Sequence, residues 1–196
     1  MNQNRQDALL DAVRNELFTC VVGDVMDTMG HRHQFLPPHL RPLTESMRVI
    51  GRAKTVLEAD CHGRRVAHED RDHAFGVMFD ALDSMQAGEV YICTGSSPNY
   101  ACWGELMSTA ALHRGAVGAV IEGYSRDTEG VRTLKFPTFS MGCYGQDQGM
   151  RGRVIDYDCP IEFSNKVLVQ PGENKVKKLI QQGMPTRQVW DEYGIM

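Results

Sequence analysis

Residues 104–127, GELMSTAALHRGAVGAVIEGYSRD, decide the fold. They supply a helix start at Gly104 and a helix end at Gly115. A run of Ala116, Val117, Ala119, Val120 and Ile121 then follows with no polar residue between them. A strand of that kind is covered on both faces, as in parallel sheets flanked by helices. Its polar residues, Ser125, Arg126 and Asp127, come just past the C-terminal end, where open α/β sheets bind ligands. A surface Arg–Asp pair closing an ordinary strand gives the same pattern, so spacing alone leaves both readings open.

Working outward, Leu9, Val13 and Leu17 mark one helical face, and Asp24 is the expected start of a short helix carrying Val25, Met26 and Met29 up to Gly30. HRHQFLPPHLRPL reads as a loop held by Pro37, Pro38 and Pro42. The branched residues of 49–59, VIGRAKTVLEA, predict a strand, and 60–73 a polar connection. Ala74, Val77, Met78, Ala81, Leu82 and Met85 recur at helical spacing, ended by Gly88, and Glu89 to Cys93 predict the next strand. TGSSPNYACW reads as a turn into the helix at Gly104, whose Leu106, Met107, Ala110 and Ala111 are expected to face inward. Beyond Asp127, PTFSM, GRVIDYDCPIEF and KVLVQ suggest antiparallel pairing around Ser164–Asn165. ENKVKKLIQQG and TRQVWDEYGIM predict two short helices at the end.

The 196 residues, 42% hydrophobic, suffice for one well-buried core. A net charge of −4 spread along the chain offers no basic stripe for nucleic acid. No stretch approaches the roughly 20 apolar residues of a membrane span, and MNQNRQDALLDAVRNEL reads as a polar amphipathic helix rather than a signal peptide. A cytoplasmic protein with no nucleic-acid or membrane partner is expected. The six cysteines, without any CxxC, read as reduced and mostly buried thiols.

The chemistry gathers at the Gly104 helix. Its first turn exposes backbone N–H groups and the positive end of the helix dipole, a seat for a carboxylate. Arg126 offers a planar, permanently charged fork to the same anion. Asp127 is a hard oxygen donor suited to Mg²⁺ or Mn²⁺, and such ions take only one or two protein carboxylates while keeping several waters. Glu105 reads equally as holder of one of those waters or as an acid favoured by the helix dipole. Schiff-base chemistry needs a desolvated Lys, and none of Lys54, Lys135, Lys166, Lys175, Lys177 or Lys178 belongs to this group. His62, His68 and His73 with Cys61, Glu69, Asp70 and Asp72 lack a standard zinc spacing and read as a solvated loop. His31 and His33 are substrate contacts or exposed loop residues; Tyr100 and Trp103 are pocket walls or core. TGSSPNYACWG matches neither a dinucleotide fingerprint nor a P-loop.

GELMSTAA…RGAVGAVIEGYSRD, together with VVGDVMDTMG, LPPHLRPL, IGRAKTV, FPTFSMG and RGRVIDYDCPIEF in that order, resembles the RraA-like family. The closest members in kind are the class II aldolases for 4-hydroxy-4-methyl-2-oxoglutarate and 4-carboxy-4-hydroxy-2-oxoadipate. The resemblance implies an α/β, three-layer, swivelling phosphohistidine-domain-like fold with mixed sheets over residues 1–172, a C-terminal helical tail over 173–196, and a homotrimer or higher homo-oligomer with sites between subunits. It implies that Arg126 and the amides of Gly104, Glu105, Leu106 and Met107 bind a small 2-oxo acid. Asp127 would bind the metal and Glu105 a metal water, with Arg126, Glu105 and Asp127 as the catalytic set. The implied reaction is cleavage of 4-hydroxy-2-oxo di- or tricarboxylic acids to pyruvate and a second oxo acid, with oxaloacetate decarboxylation alongside. The family also contains non-catalytic regulators of ribonuclease activity that act by protein contact. One departure stands out: relatives continue after KVLVQPG through another strand pair, whereas Gly172 here runs straight into ENKVKKLIQQG, with Glu173 a weak counterpart of the acid that a neighbouring subunit supplies.

Overall fold

A computed structural model describes residues 3–61 and 74–171. Helices α1 (Gln3–Glu16) and α2 (Thr19–Thr28) precede a two-residue strand β1 (Arg41–Pro42) and the long β2 (Arg52–Asp60). Strand β3 (Ala74–Val77) runs into α3 (Met78–Asp83), then β4 (Glu89–Thr94) and β5 (Ala101–Trp103). Next come α4 (Glu105–His113), β6 (Gly118–Ile121), β7 (Tyr124–Ser125), α5 (Thr128–Thr133) and β8 (Thr138–Ser140). Strands β9 (Gly152–Tyr157), β10 (Ile161–Glu162) and β11 (Leu168–Val169) follow.

Seven strands form one mixed sheet in the order β1-β8-β6-β4-β2-β9-β3. Its centre, β2, β4, β6 and β8, is parallel throughout; β1 and β9 join antiparallel at β8 and β2. Every residue of β6 is buried, as its uninterrupted apolar run predicts. Strand alternation divides two cores. Tyr91, Cys93, Ala119 and Ile121 face α3 and α4 with Trp103 and Phe136, whereas Val90, Ile92 and Val120 face Leu40, Ile161 and Phe163. The architecture is a layered α/β fold around a mixed sheet.

Several elements differ from expectation for local reasons. Helix α2 begins at Thr19 rather than Asp24, because buried Gly23 lets the Phe35 ring pack against its Cα where a Cβ would overlap it. Ala74–Val77 is a strand, not the first turn of α3: Gly76, at φ +65°, pairs with Val154 and comes too close to its carbonyl for a side chain. PTFSM contributes a strand parallel to β6, while antiparallel pairing among the described residues is confined to β1, β9 and the β10–β11 hairpin. TGSSPNYACW is not turn throughout, since Ala101–Trp103 pairs with β7. Leu106 is 83% exposed rather than inward. Of the cysteines, Cys93 and Cys102 are buried, but Cys20 and Cys143 are exposed. The expected terminal helices of 173–196 and the histidine-bearing loop of 62–73 lie outside the described residues.

Two buried acids secure the C-terminal ends of the parallel strands. Glu122, just past β6, accepts hydrogen bonds from Thr94 Oγ1 and from Ser164 N and Oγ, with His39 Nε2 at 3.5 Å, and so fastens the β10–β11 turn to the sheet. Glu58 in β2 accepts from Gln148 Nε2 at 2.7 Å, and the Tyr100 hydroxyl donates to neighbouring Asp60 at 3.1 Å. Burial, reinforced by Cys102 and Asp60, pushes the Glu58 carboxyl from 4.5 up to about 9, against the lowering effect of hydrogen bonds from Tyr100 and Gln148. Its folded form therefore holds a proton that the unfolded chain releases above about 4.5. Stability from this group is fully present below pH 4.5, falls as pH rises, and is lost above about 9. The slope reaches about 1.4 kcal/mol per pH unit for one proton. Glu58→Gln, which stays neutral, is expected to flatten the decline: urea midpoints at pH 6, 7 and 8 should converge on and then exceed wild type as pH rises. A constant wild-type-to-variant difference across that range would contradict a protonated Glu58.

Candidate active site

The site is built where β5 and β7 lie side by side. Ala101 pairs with Tyr124 and Trp103 with Ser125, and the Arg126 N–H donates to the Trp103 carbonyl at 2.9 Å. This pairing sets the start of α4 against the end of β7. Gly104, the N-cap, has extended backbone and no side-chain cap. A Cβ there would lie 3.1 Å from Asp127 Oδ2 and 3.2 Å from Arg126 Cγ, so the absent side chain lets the Arg–Asp pair close on the helix start. The N–H groups of Glu105, Leu106 and Met107 have no acceptor within the helix, the first such bond being Ser108 N–H to the Gly104 carbonyl.

Asp127 is the N-cap of α5 and holds a left-handed backbone, φ 51° and ψ 36°. Asp tolerates this region better than most side chains. The conformation lets the chain turn from β7 into α5 while the carboxylate stays beside Arg126, with Arg126 Nε 3.3 Å from Asp127 Oδ2. Glu105 lies across α5, its carboxyl occupying the space a Cβ on Gly130 would need. The structure thus brings Gly104, Arg126 and Asp127 together and places Glu105 one helical turn along α5 from Asp127.

Sequence reasoning missed Asp147. It sits in the loop between β8 and β9, and its Oδ1 is 2.7 Å from Arg126 Nη1 while Oδ2 accepts from Gly149 N–H at 2.9 Å. Ala101 N–H, donating to the Gln146 carbonyl at 2.8 Å, holds that loop on β5. The guanidinium is therefore flanked by two carboxylates, each about half exposed to solvent. The motif GQDQG carries a turn signal, an Asp two residues before a Gly. Nothing local to it points to Arg126.

Other candidates separate from this group. Tyr100 and Trp103 are fully buried, Trp103 ringed by Tyr91 and Phe136, which makes them core rather than pocket wall. Lys54 is buried against Asp158 at 2.8 Å and lies over the Tyr157 ring. His33 shares its Nε2 with the Asn165 carbonyl at 2.7 Å. Among the described residues no three His, Cys, Asp or Glu side chains converge as a metal cluster. No helix among them is long and apolar enough to cross a membrane.

Comparison with known proteins adds to this geometry. Protein DlpA of Legionella pneumophila is 26% identical over 153 residues, a match covering 78% of this chain but 23% of that protein. A solved structure described among novel cellulases from microbes of the gut ecosystem is 26% identical with a TM-score of 0.74, covering 85% of this chain and 72% of that one. Streptomyces coelicolor RraAS2, described as an unusual member of the RNase ES inhibitor RraA protein family, superposes with a TM-score of 0.69 at 20% identity, covering 94% of each chain. That likeness shows a shared fold. The RraA-like pattern, described as Aldolase/RraA, matches residues 19–176, from the start of α2 to beyond β11, and the chain belongs to that family.

Proposed function

We propose that this protein is a divalent-metal-dependent lyase that cleaves 4-hydroxy-2-oxo di- or tricarboxylic acids to pyruvate and a second oxo acid, and that also decarboxylates oxaloacetate. The observation that carries this reading is the convergence of three features: the uncapped α4 N-terminus, Arg126 and Asp127. Arg126 and the N–H groups of Glu105, Leu106 and Met107 receive the oxo-acid carboxylate. Asp127, an exposed hard-oxygen donor, fits Mg²⁺ or Mn²⁺, ions that need only one or two protein carboxylates. When bound, the cation would supply Lewis-acid stabilisation of the negative charge that develops on the 2-oxo oxygen.

The residues of the chain divide the remaining work. Arg126 offsets the same developing charge from the carboxylate side. Glu105 orients the water that removes the proton of the 4-hydroxyl. The C3–C4 bond then breaks, its electron pair passing into the pyruvate enolate, which is protonated to pyruvate. Oxaloacetate loses carbon dioxide through the same enolate. Exposed Leu106, at the mouth of the site, fits a position covered by a neighbouring subunit in a homotrimer or higher oligomer. The second reading is a non-catalytic regulator working by protein contact; the double ion pairing of Arg126, which lowers its charge toward an incoming anion, favours it.

Pyruvate release from oxaloacetate and a panel of 4-hydroxy-2-oxo acids, with Mg²⁺ or Mn²⁺ present and then chelated, separates the two. Pyruvate from none of them would favour the regulator. Arg126→Ala is expected to reduce turnover roughly 100- to 1000-fold, the scale of losing a donor to developing charge; full activity would remove Arg126 from the site. Asp127→Asn is expected to abolish metal-dependent turnover with an unaltered circular dichroism spectrum, and an unchanged Mg²⁺ titration would refute its ligand role. Asp147→Asn should free Arg126 for substrate and tighten oxalate binding by calorimetry up to about fivefold, the scale of an exposed ion pair. Weaker oxalate binding would mean that Asp147 supports the seat rather than competing for it.

A further inference from the structure

The sheet face opposite α3 and α4 is incompletely filled. Between α1–α2 and that face lies a cavity of about 870 Å³, within the size range of small-molecule sites. Val120 and Phe139 form its floor, and Val22, Met26, Phe35 and Leu36 its walls. Its shape is held by specific contacts. Gly23 accommodates the Phe35 ring, the Asn165 side-chain amide donates to the Phe35 carbonyl at 2.9 Å, and the Asn165 backbone carbonyl partners His33 Nε2.

The charge of the lining is one-sided. Among the described residues, Arg32, Arg41 and Arg48 line the cavity, and no Asp or Glu does. Arg48 donates to the Leu17 carbonyl at 2.8 Å, which fixes its guanidinium at the end of α1. Among the described residues, neither Arg32 nor Arg41 forms an ion pair. A chain carrying a net charge of −4 has acids to spare, yet none of the described ones lines this space. All three arginines are exposed, so they present positive charge at the rim, where an anionic head group is attracted and a cationic one repelled.

We propose that this cavity binds an amphipathic carboxylate, a medium-length aliphatic chain whose tail lies on Val120, Phe139, Val22 and Met26 and whose head group meets Arg32, Arg41 and Arg48. The site shares no residue with the Arg126 constellation and stands independently of the lyase reading.

The test uses the full chain and displacement of the fluorescent probe 1-anilinonaphthalene-8-sulfonate by dodecanoate, octanoate, dodecanol and dodecyltrimethylammonium, all below their micellar concentrations. Dodecanoate should displace the probe at least about tenfold more tightly than octanoate, since four more methylenes leave water, and more tightly than the neutral or cationic twelve-carbon ligands. Arg32→Glu with Arg41→Glu should weaken dodecanoate at least about tenfold by reversing the rim charge, while any pyruvate release from oxaloacetate stays at the wild-type level. Met26→Trp, which narrows the space over the tail, should weaken dodecanoate more than octanoate but leave the circular dichroism spectrum unchanged. Equal affinity for the anionic and cationic amphiphiles, or dodecanoate binding indifferent to both variants, would overturn the proposal. So would a fall in oligomer mass by light scattering on adding dodecanoate, which would make a second copy the natural occupant.

Discussion

The pairing of β5 with β7 is the constraint on which the rest of the candidate site depends. Two short strands, joined at Ala101–Tyr124 and Trp103–Ser125, fix the start of one helix beside the start of another. Helix α4 begins two residues after Trp103, and α5 begins two residues after Arg126. Because the Arg126 N–H is committed to the Trp103 carbonyl, Arg126 projects its side chain from a fixed point rather than from a mobile loop. The pairing is secured from beneath by Trp103, fully buried between Tyr91 and Phe136. Aromatic burial of this size stabilises the core, and here it also anchors the backbone that carries the polar groups.

Glycine completes what the pairing begins. At Gly104 any side chain would meet Asp127 Oδ2 and Arg126 Cγ closer than ordinary contact, and at Gly130 it would take the place of the Glu105 carboxyl. These glycines act through space rather than through unusual backbone, since Gly104 is extended. The left-handed conformation falls instead on Asp127, which can adopt it at modest cost. An acid in that position both turns the chain and brings its carboxylate against the helix start at Gly104.

The β6 run, the Gly104 helix start and the adjacency of Arg126 and Asp127 after a strand were legible in the sequence because each is read from neighbouring residues, whereas their approach to the helix start rests on the β5–β7 pairing. Burial of every β6 residue follows from the absence of polar interruption. What sequence reasoning lost depends on partners far along the chain. Ala74–Val77 has helical spacing, but Gly76 pairs with Val154, and the gain from sheet pairing overrides local periodicity. Helix α2 runs back through Gly23 because Phe35 packs there, a contact no propensity scale contains. Leu106 was expected inward on helical spacing, yet only Ser108 and Ala111 of α4 are buried, since α5 and the sheet take one narrow stripe of that helix. Asp147 was missed because its partner is 21 residues away.

Asp147 changes the electrostatics of the site in a way the Arg126–Asp127 pair alone does not. A guanidinium with one carboxylate neighbour is neutral as a pair and still presents free N–H groups; with two it belongs to a triad of net charge −1. An incoming oxo-acid carboxylate then meets repulsion unless a cation is present or one acid withdraws. A divalent ion at Asp127 would remove both difficulties together, because it cancels the surplus charge and draws the Asp127 carboxylate from Arg126. Under the proposed function, substrate binding and metal binding at such a triad would be thermodynamically linked, each raising the affinity for the other by the same factor. Asp147, held by Gly149 N–H and by its loop on β5, would under the proposed function contribute to the strength of that linkage.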